Sequence, residues 1–188
     1  MRSVPDSPVD RILTASLVVA PLLLLLTDVL YALRGWDDSG AAIVHVLGSA
    51  AFLLVLLRVL TVTGGGAFGA ALLIVGVLGG AGNIGYGFNS IHVSLGDTDL
   101  NDASGAAALI KVLGLCFPLT LLLIGLAYRR SQAPWIVALL VLAAVVWPIA
   151  HIANLGWLAV LGNVLIVVPL AAIAAPTRAR VLEPAAVD

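Results

Sequence analysis

The sequence contains few charged residues. Only 10% of its 188 residues are Asp, Glu, Lys or Arg, whereas 62% are hydrophobic. An average soluble domain has about 25% charged residues, because its surface must remain hydrated. The shortage of charge therefore excludes an ordinary soluble domain and indicates an integral membrane protein.

Cysteine and familiar catalytic motifs are also scarce. The single cysteine, Cys116, allows no intrachain disulfide. There is no P-loop, no His-Glu-x-x-His motif and no stripe of basic residues, so the sequence predicts no nucleic-acid partner. The string GAGNIG from Gly80 to Gly85 matches a dinucleotide fingerprint. That fingerprint requires a preceding strand and an aqueous helix N-terminus, which a membrane span does not offer, so we expect no nucleotide.

Long apolar runs dominate the chain. Each is about twenty residues long, which is enough to cross roughly 30 Å of hydrocarbon at 1.5 Å per residue. They lie near 12–33, 41–63, 67–90, 104–128, 134–154 and 157–175. The sequence thus predicts an all-α polytopic membrane bundle. It has six transmembrane helices in a single domain over 1–188, with short loops and antiparallel neighbours.

Arginines are concentrated on one predicted side of the membrane. That side carries Arg2, Arg11, Arg58, Arg129, Arg130, Arg178 and Arg180. The opposite side carries Arg34 together with Asp37, Asp38, Asp97, Asp99 and Asp102. By the positive-inside rule both termini are predicted to be cytoplasmic. Loops 33–40, 91–103 and 155–156 would then face outward from the plasma membrane.

Polar residues inside the spans cluster towards the predicted outer side. An ionisable side chain in hydrocarbon costs at least about 2.5 kcal/mol, so each should face protein or water. A deeper layer contains Asp28, His45, Asn83, Lys111 and Asn163, and a shallower layer contains Tyr31, Arg34, Asn89, His92, His151, Asn154 and Trp157. We predict an outward-facing polar pocket. Its predicted binding residues are Asp28, His45, Asn83, Tyr86, His92, Lys111, His151, Asn154 and Asn163.

Asp28 and Lys111 are the charged residues of the deeper layer. If they meet, they form either a structural ion pair or a site for a substrate carboxylate or proton, and the sequence leaves both open. Asp28 and His45 are the candidate catalytic acid or base. His45, His92 and His151 are candidate ligands for a metal or haem, although their spacing gives no support to either.

The third span is rich in glycine. Gly76 and Gly80 form a G-x-x-x-G pair, which allows a neighbouring backbone to approach closely in lipid. We therefore expect a central, tightly packed helix, locally unwound at 82–87 so that Asn83 and Tyr86 reach the pocket floor. The same glycines offer a surface for a partner subunit or a second copy.

Prolines and aromatic residues carry two further expectations. The intramembrane residues Pro21, Pro118, Pro148 and Pro169 each free a carbonyl one turn earlier and are predicted to kink their helices. The residues Tyr31, Trp36, Trp147 and Trp157 are predicted to be interfacial anchors.

Three functions fit these patterns. The first is binding or uptake of a small polar or anionic ligand from outside. In size, helix number and outward pocket this layout resembles the substrate-binding subunits of energy-coupling vitamin importers, and Ser16 and Ala20 loosely match their small-residue contact on helix 1. The second is an intramembrane enzyme acting on a lipid or isoprenoid substrate. The third is an accessory subunit of a larger membrane complex.

Overall fold

The computed structural model describes residues 7–175, which are entirely helical apart from short connections. The elements are α1 Pro8–Arg34, α2 Ser39–Thr63, α3 Ala67–Ser94, a 3₁₀ turn Gly105–Ala108, α4 Leu109–Gly114, α5 Cys116–Tyr128, α6 Pro134–Ile152 and α7 Gly156–Ala174. Together they make six helical segments that are long and apolar enough to cross a membrane, the fourth being Gly105–Tyr128. The all-α prediction with six such helices is confirmed, and it is compatible with an integral membrane protein in a lipid bilayer.

Local sequence signals set several helix ends. Ser7 caps α1 by accepting a hydrogen bond from the backbone N–H of Asp10 at 3.1 Å, so the helix begins four residues before the predicted start. Asp38 caps α2 by accepting from the N–H of Ala41 at 2.7 Å. Pro134 opens α6 as predicted, because a first-turn residue needs no N–H partner.

The helices form a ring. Each span contacts the spans before and after it in the chain, and α1 also contacts α7. The centre of the ring is filled by side chains from several helices, among them Leu24, Phe52, Phe117, Leu140 and Ile166. Phe117 packs between Phe52 and Trp147, since its ring centroid lies 5.0 Å from that of Phe52 and 5.1 Å from that of Trp147.

Glycines bring α3 against two neighbours on two different faces. A Cβ added to Gly76 would lie 2.6 Å from the side chain of Leu56 in α2, and one added to Gly80 would lie 2.5 Å from that of Leu53. On the other face, a Cβ added to Gly79 would lie 2.7 Å from the backbone nitrogen of Phe117, and one on Gly82 would collide with the backbone around Gly114. The predicted close packing is confirmed. Because these contacts lie within the chain, the glycines leave little reason to assign α3 to a partner subunit or a second copy.

The fourth span is interrupted where the sequence provides a proline. Pro118 lacks the N–H that would bond the carbonyl of Gly114, and the helix breaks between α4 and α5 at Leu115. By contrast, α1, α6 and α7 continue through Pro21, Pro148 and Pro169.

Two local predictions were wrong. The helix α3 runs unbroken through Gly82–Gly87, because packing on both faces outweighs the low helix propensity of glycine. Asn154 lies in the connection after α6 rather than in the helix, and it has a left-handed φ of 52°. Asparagine tolerates that conformation better than most residues, so the chain turns there into α7.

The predicted interfacial anchors divide into two groups. Trp157 is exposed on the bundle surface, as an anchor should be. Tyr31 is only 1% exposed, and Trp147 is also buried, so both belong to the interior packing instead. Trp36 stacks on Tyr31 with a centroid separation of 5.0 Å.

Both chain ends continue beyond the described residues. Arg2, Arg178 and Arg180, three of the arginines behind the predicted orientation, lie outside the residues that the structure describes. Arg11, Arg58, Arg129 and Arg130 lie within them, in α1, in α2 and directly after α5.

Candidate functional site

A cavity of about 440 Å³ lies at one end of the ring. Residues of the connections 35–38, 95–104 and 153–155 line it, and we call this end of the bundle the cavity end. Six predicted binding residues line the cavity: His45, Asn83, Tyr86, Lys111, His151 and Asn154. Its volume falls within the range of about 300–1,000 Å³ that is typical of small-molecule sites.

The other three predicted binding residues do not line the cavity. Asp28 and Asn163 lie behind His151 and contact each other. His92 faces away, with its Nδ1 at 3.2 Å from an Asp97 carboxylate oxygen in an exposed pair. Position along a span gives the depth of a residue, but it does not determine which side of each helix faces the cavity.

His45 is the most unusual residue of the cavity wall. Its side chain is buried, with 3% of the residue exposed, and neither ring nitrogen has a hydrogen-bond partner among the described residues. Its ring centroid lies 5.4 Å from that of Tyr86 and 6.0 Å from that of Tyr31. Buried polar groups are nearly always paired, and an unpaired one costs about 1–3 kcal/mol. Both nitrogens are covered by neighbouring groups, so a polar group in the cavity would bond to them only after a local shift of the cavity wall.

Asp28 is buried, with only 1% of the residue exposed, and both of its carboxylate oxygens are occupied. Oδ1 lies 3.4 Å from Nε2 of His151, and Oδ2 accepts a 2.5 Å hydrogen bond from Nδ2 of Asn163. The contact with His151 crosses the interior of the ring, because no Cα atoms of α1 and α6 lie within 8 Å of each other.

The pairing of Asp28 with Lys111, which the sequence left open, is not formed. The helices α1 and α4 have no Cα atoms within 8 Å of each other, and no salt bridge joins the two side chains. Lys111 is exposed at the cavity wall, and no salt bridge or hydrogen bond joins its side chain to another residue within 7–175. The partner of Asp28 is instead the imidazole of His151.

The hydrogen bonds of His151 restrict its chemistry. Its Nδ1 lies 2.9 Å from the carbonyl oxygen of Trp147, so this nitrogen must carry a proton and donate it. The contact between Nε2 of His151 and Oδ1 of Asp28 then needs one proton, which is carried by one of these two atoms. With both nitrogens engaged, His151 is not a free general base. Asp28, which is buried, hydrogen-bonded to Asn163 and in contact with His151, is equally unsuited to touch a substrate. Of the candidate acids and bases, only His45 remains unengaged.

Several cavity residues were not among the predicted site residues. Asn89 joins α3 to the following connection, since its Nδ2 donates to Asp99 at 2.8 Å and its Oδ1 accepts from the N–H of Leu100 at 2.8 Å. Ser90 lies seven residues after Asn83, on the same face as Tyr86, and that spacing was visible in the sequence. Trp147 lies four residues before His151, on the same face of α6, and that spacing was likewise visible in the sequence.

Charge is distributed unevenly around the cavity. Asp37, Asp99 and Asp102 line it from the connections, whereas Lys111 is the one lysine or arginine in its wall. Trp36 closes part of the same end by donating from Nε1 to the carbonyl oxygen of Asn154 at 3.2 Å. The cavity end is therefore acidic at its loops and basic at α4.

The histidines do not form a metal centre. In the part of the chain that the structure describes, no three His, Cys, Asp or Glu side chains lie in a group suited to hold a metal ion. His92 is separated from the cavity that His45 and His151 share. The three histidines proposed from the sequence are thus not assembled into one site.

Comparison of the chain with protein-family models, with curated proteins and with solved structures found no match. The resemblance to vitamin-importer subunits, which was based on overall layout, gains no support from these comparisons. The function is accordingly inferred from the geometry of the cavity.

Proposed function

We propose that this chain is a single-domain, multi-pass protein of the plasma membrane whose cavity binds the polar part of a small ligand from the extracytoplasmic side. The unpaired imidazole of His45 carries the proposal. Because its buried nitrogens lack protein partners, a ligand that offers a hydrogen-bond donor or acceptor gains a bond without displacing another. Asn83, Tyr86 and Ser90 present further polar groups from α3.

A leucine substitution at His45 tests this role. We expect His45→Leu to leave the stability of the ligand-free protein unchanged or slightly higher, because an unpaired polar group is replaced by an apolar one of similar size. We also expect it to lose any non-protein mass that the wild-type protein retains in native mass spectrometry. Thermal unfolding in detergent supplies the stability measurement.

His151→Leu is the matched control for this substitution. It removes an imidazole that is bonded to Asp28 and to the Trp147 carbonyl, so it should lower the unfolding temperature. If His45→Leu destabilises the protein as much as His151→Leu does, His45 has a structural partner and the proposal fails. Equal retention of ligand by wild type and His45→Leu would also contradict it.

The proposed orientation rests on the positive-inside rule and is tested by cysteine labelling. In a Cys116→Ser background, Asn101→Cys places a thiol in the cavity wall, and Gly65→Cys places one at the opposite end, where added atoms meet nothing within 4 Å. We expect a membrane-impermeant thiol reagent to label Asn101→Cys in intact cells and Gly65→Cys only after permeabilisation. The reverse pattern would place the cavity on the cytoplasmic side.

A further inference from the structure

The ring of helices is open at one place near the cavity end. The helices α5 and α6 are in contact, but no Cα atom of α4 lies within 8 Å of a Cα atom of α6. The break at Leu115 separates the two halves of the fourth span, so the inner half closes the ring and the outer half stands away from α6. We call the opening between α4 and α6 the lateral gap.

The cavity continues to this gap. Its wall includes Lys111 and Leu115 from one edge of the gap, and His151 and Ile152 from the other. Leu115 and Ile152 are also exposed on the outside of the bundle. The side chains that bound the cavity there also form part of the outer surface. The cavity therefore reaches the surface sideways, between two spans, as well as at the end of the bundle.

The gap is flanked by apolar side chains, and its α6 edge lies at the end of that helix. Lys111 is six residues after Gly105, which places it about 9 Å along the fourth span at 1.5 Å per residue. The side chains of Leu109, Val112, Ile149 and Ile152 are exposed on α4 and α6. In a bilayer, such an opening lies near the boundary between acyl chains and headgroups, so a ligand that passes through it has both an apolar and a polar part.

Lys111 supplies the second requirement on the ligand. Its ammonium group has no carboxylate partner among residues 7–175, so it is available to pair with an anionic group of a ligand. A phosphate at the gap would pair with it. Away from Lys111, on the side of the connections, the cavity is lined by Asp37, Asp99 and Asp102. These carboxylates favour a cationic group at the far end of the ligand's headgroup.

We propose that the ligand of the cavity is a membrane phospholipid with a cationic amine in its headgroup, which enters through the lateral gap. Its phosphate pairs with Lys111, its amine lies among the loop aspartates and within reach of His45, and its acyl chains remain in the bilayer between α4 and α6. This inference rests on the proposed function, because it names the ligand class of the same cavity.

Lipid titration followed by native mass spectrometry tests the inference. Delipidated protein in detergent is titrated with dioleoyl-phosphatidylethanolamine and, separately, with dioleoyl-phosphatidylglycerol. We expect one phosphatidylethanolamine to bind per chain, and more tightly than phosphatidylglycerol. Lys111→Met should weaken that binding about tenfold or more, which corresponds to the loss of one charge-assisted hydrogen bond.

Two tryptophan substitutions on α6 separate the gap from the general lipid surface. Ile152→Trp fills the edge of the gap and should abolish phosphatidylethanolamine binding. Ile149→Trp adds the same bulk to an exposed position on the same helix that does not line the cavity, and it should bind lipid as wild type does. Unfolding temperatures equal to that of wild type would show that Lys111→Met, Ile149→Trp and Ile152→Trp are all folded.

The outcomes separate failure of the lipid inference from failure of the proposed function. Equal lipid retention by wild type, Lys111→Met and Ile152→Trp would overturn the inference, as would tighter binding of phosphatidylglycerol or of a polyprenyl phosphate. Water-soluble glycerophosphoethanolamine is the second probe, since it reaches the cavity without the gap. If it binds while the phospholipid does not, lateral access is wrong and the proposed function stands; if neither probe binds and no other small molecule is retained, both fail.

Discussion

Gly82→Ala is expected to destabilise the protein by about 3 kcal/mol, the upper end of the usual cost of overpacking a filled core. The added Cβ would collide with the backbone of Leu113 and Gly114, and backbone atoms cannot rotate away as a flexible side chain can. The helix α4 would have to move away from α3 to make room. Thermal unfolding of the purified protein in detergent measures the loss.

Gly85→Ala is the matched control for this prediction. It lies in the same helix, and its added Cβ would meet only Cγ1 of Ile110 at 3.9 Å, an ordinary contact. Alanine is favoured over glycine in a helix by about 1 kcal/mol, so this variant should be as stable as wild type or more so. A similar loss of stability in both variants would contradict the packing of α3 against the break in the fourth span.

Asp28→Ala is expected to cost about 3–5 kcal/mol, the range found when one partner of a buried charged pair is removed. The substitution leaves Nε2 of His151 and one N–H of Asn163 without their acceptor in the interior of the ring. Asp28→Asn should cost only about 1 kcal/mol, since its amide retains an acceptor for Asn163 and offers a donor to His151. Unfolding temperatures of the variants provide the comparison.

Lys111→Met tests the observed pairing of Asp28 with His151 against the Asp28–Lys111 pair that the sequence left open. If Asp28 were paired with Lys111, the lysine substitution would destabilise the protein as strongly as Asp28→Ala. The geometry instead predicts no measurable change in stability for Lys111→Met, because the side chain is exposed and contacts no carboxylate. A loss of stability comparable to that of Asp28→Ala would refute the assigned pair.

The layers of polar residues were predictable because depth follows directly from position along a span. His45, Asn83, Lys111 and His151 were assigned to one pocket on that basis, and all four line the cavity. Tyr86 also lines it, although it was assigned from an unwinding of α3 that does not occur. Hydropathy also located the six spans, with errors of a few residues at their ends.

Angular position around the ring was less accessible to sequence reasoning. Depth placed Asp28 and Lys111 in one layer, but only the packing order of the helices shows that α1 and α4 lie on opposite parts of the ring. The same limitation explains Trp147, whose depth fits an interfacial anchor and whose ring is buried against Phe117. The break at Leu115 was different, because Pro118 marks it through a missing backbone donor.

The central claim is that the cavity holds the polar part of a ligand against the imidazole of His45. An experimental structure of the wild-type protein in a lipid nanodisc tests it most directly. The account predicts non-protein density inside the cavity, within hydrogen-bond distance of a His45 ring nitrogen, with a connected density leaving between α4 and α6. A cavity without such density, with both His45 nitrogens bonded to protein groups, would contradict it.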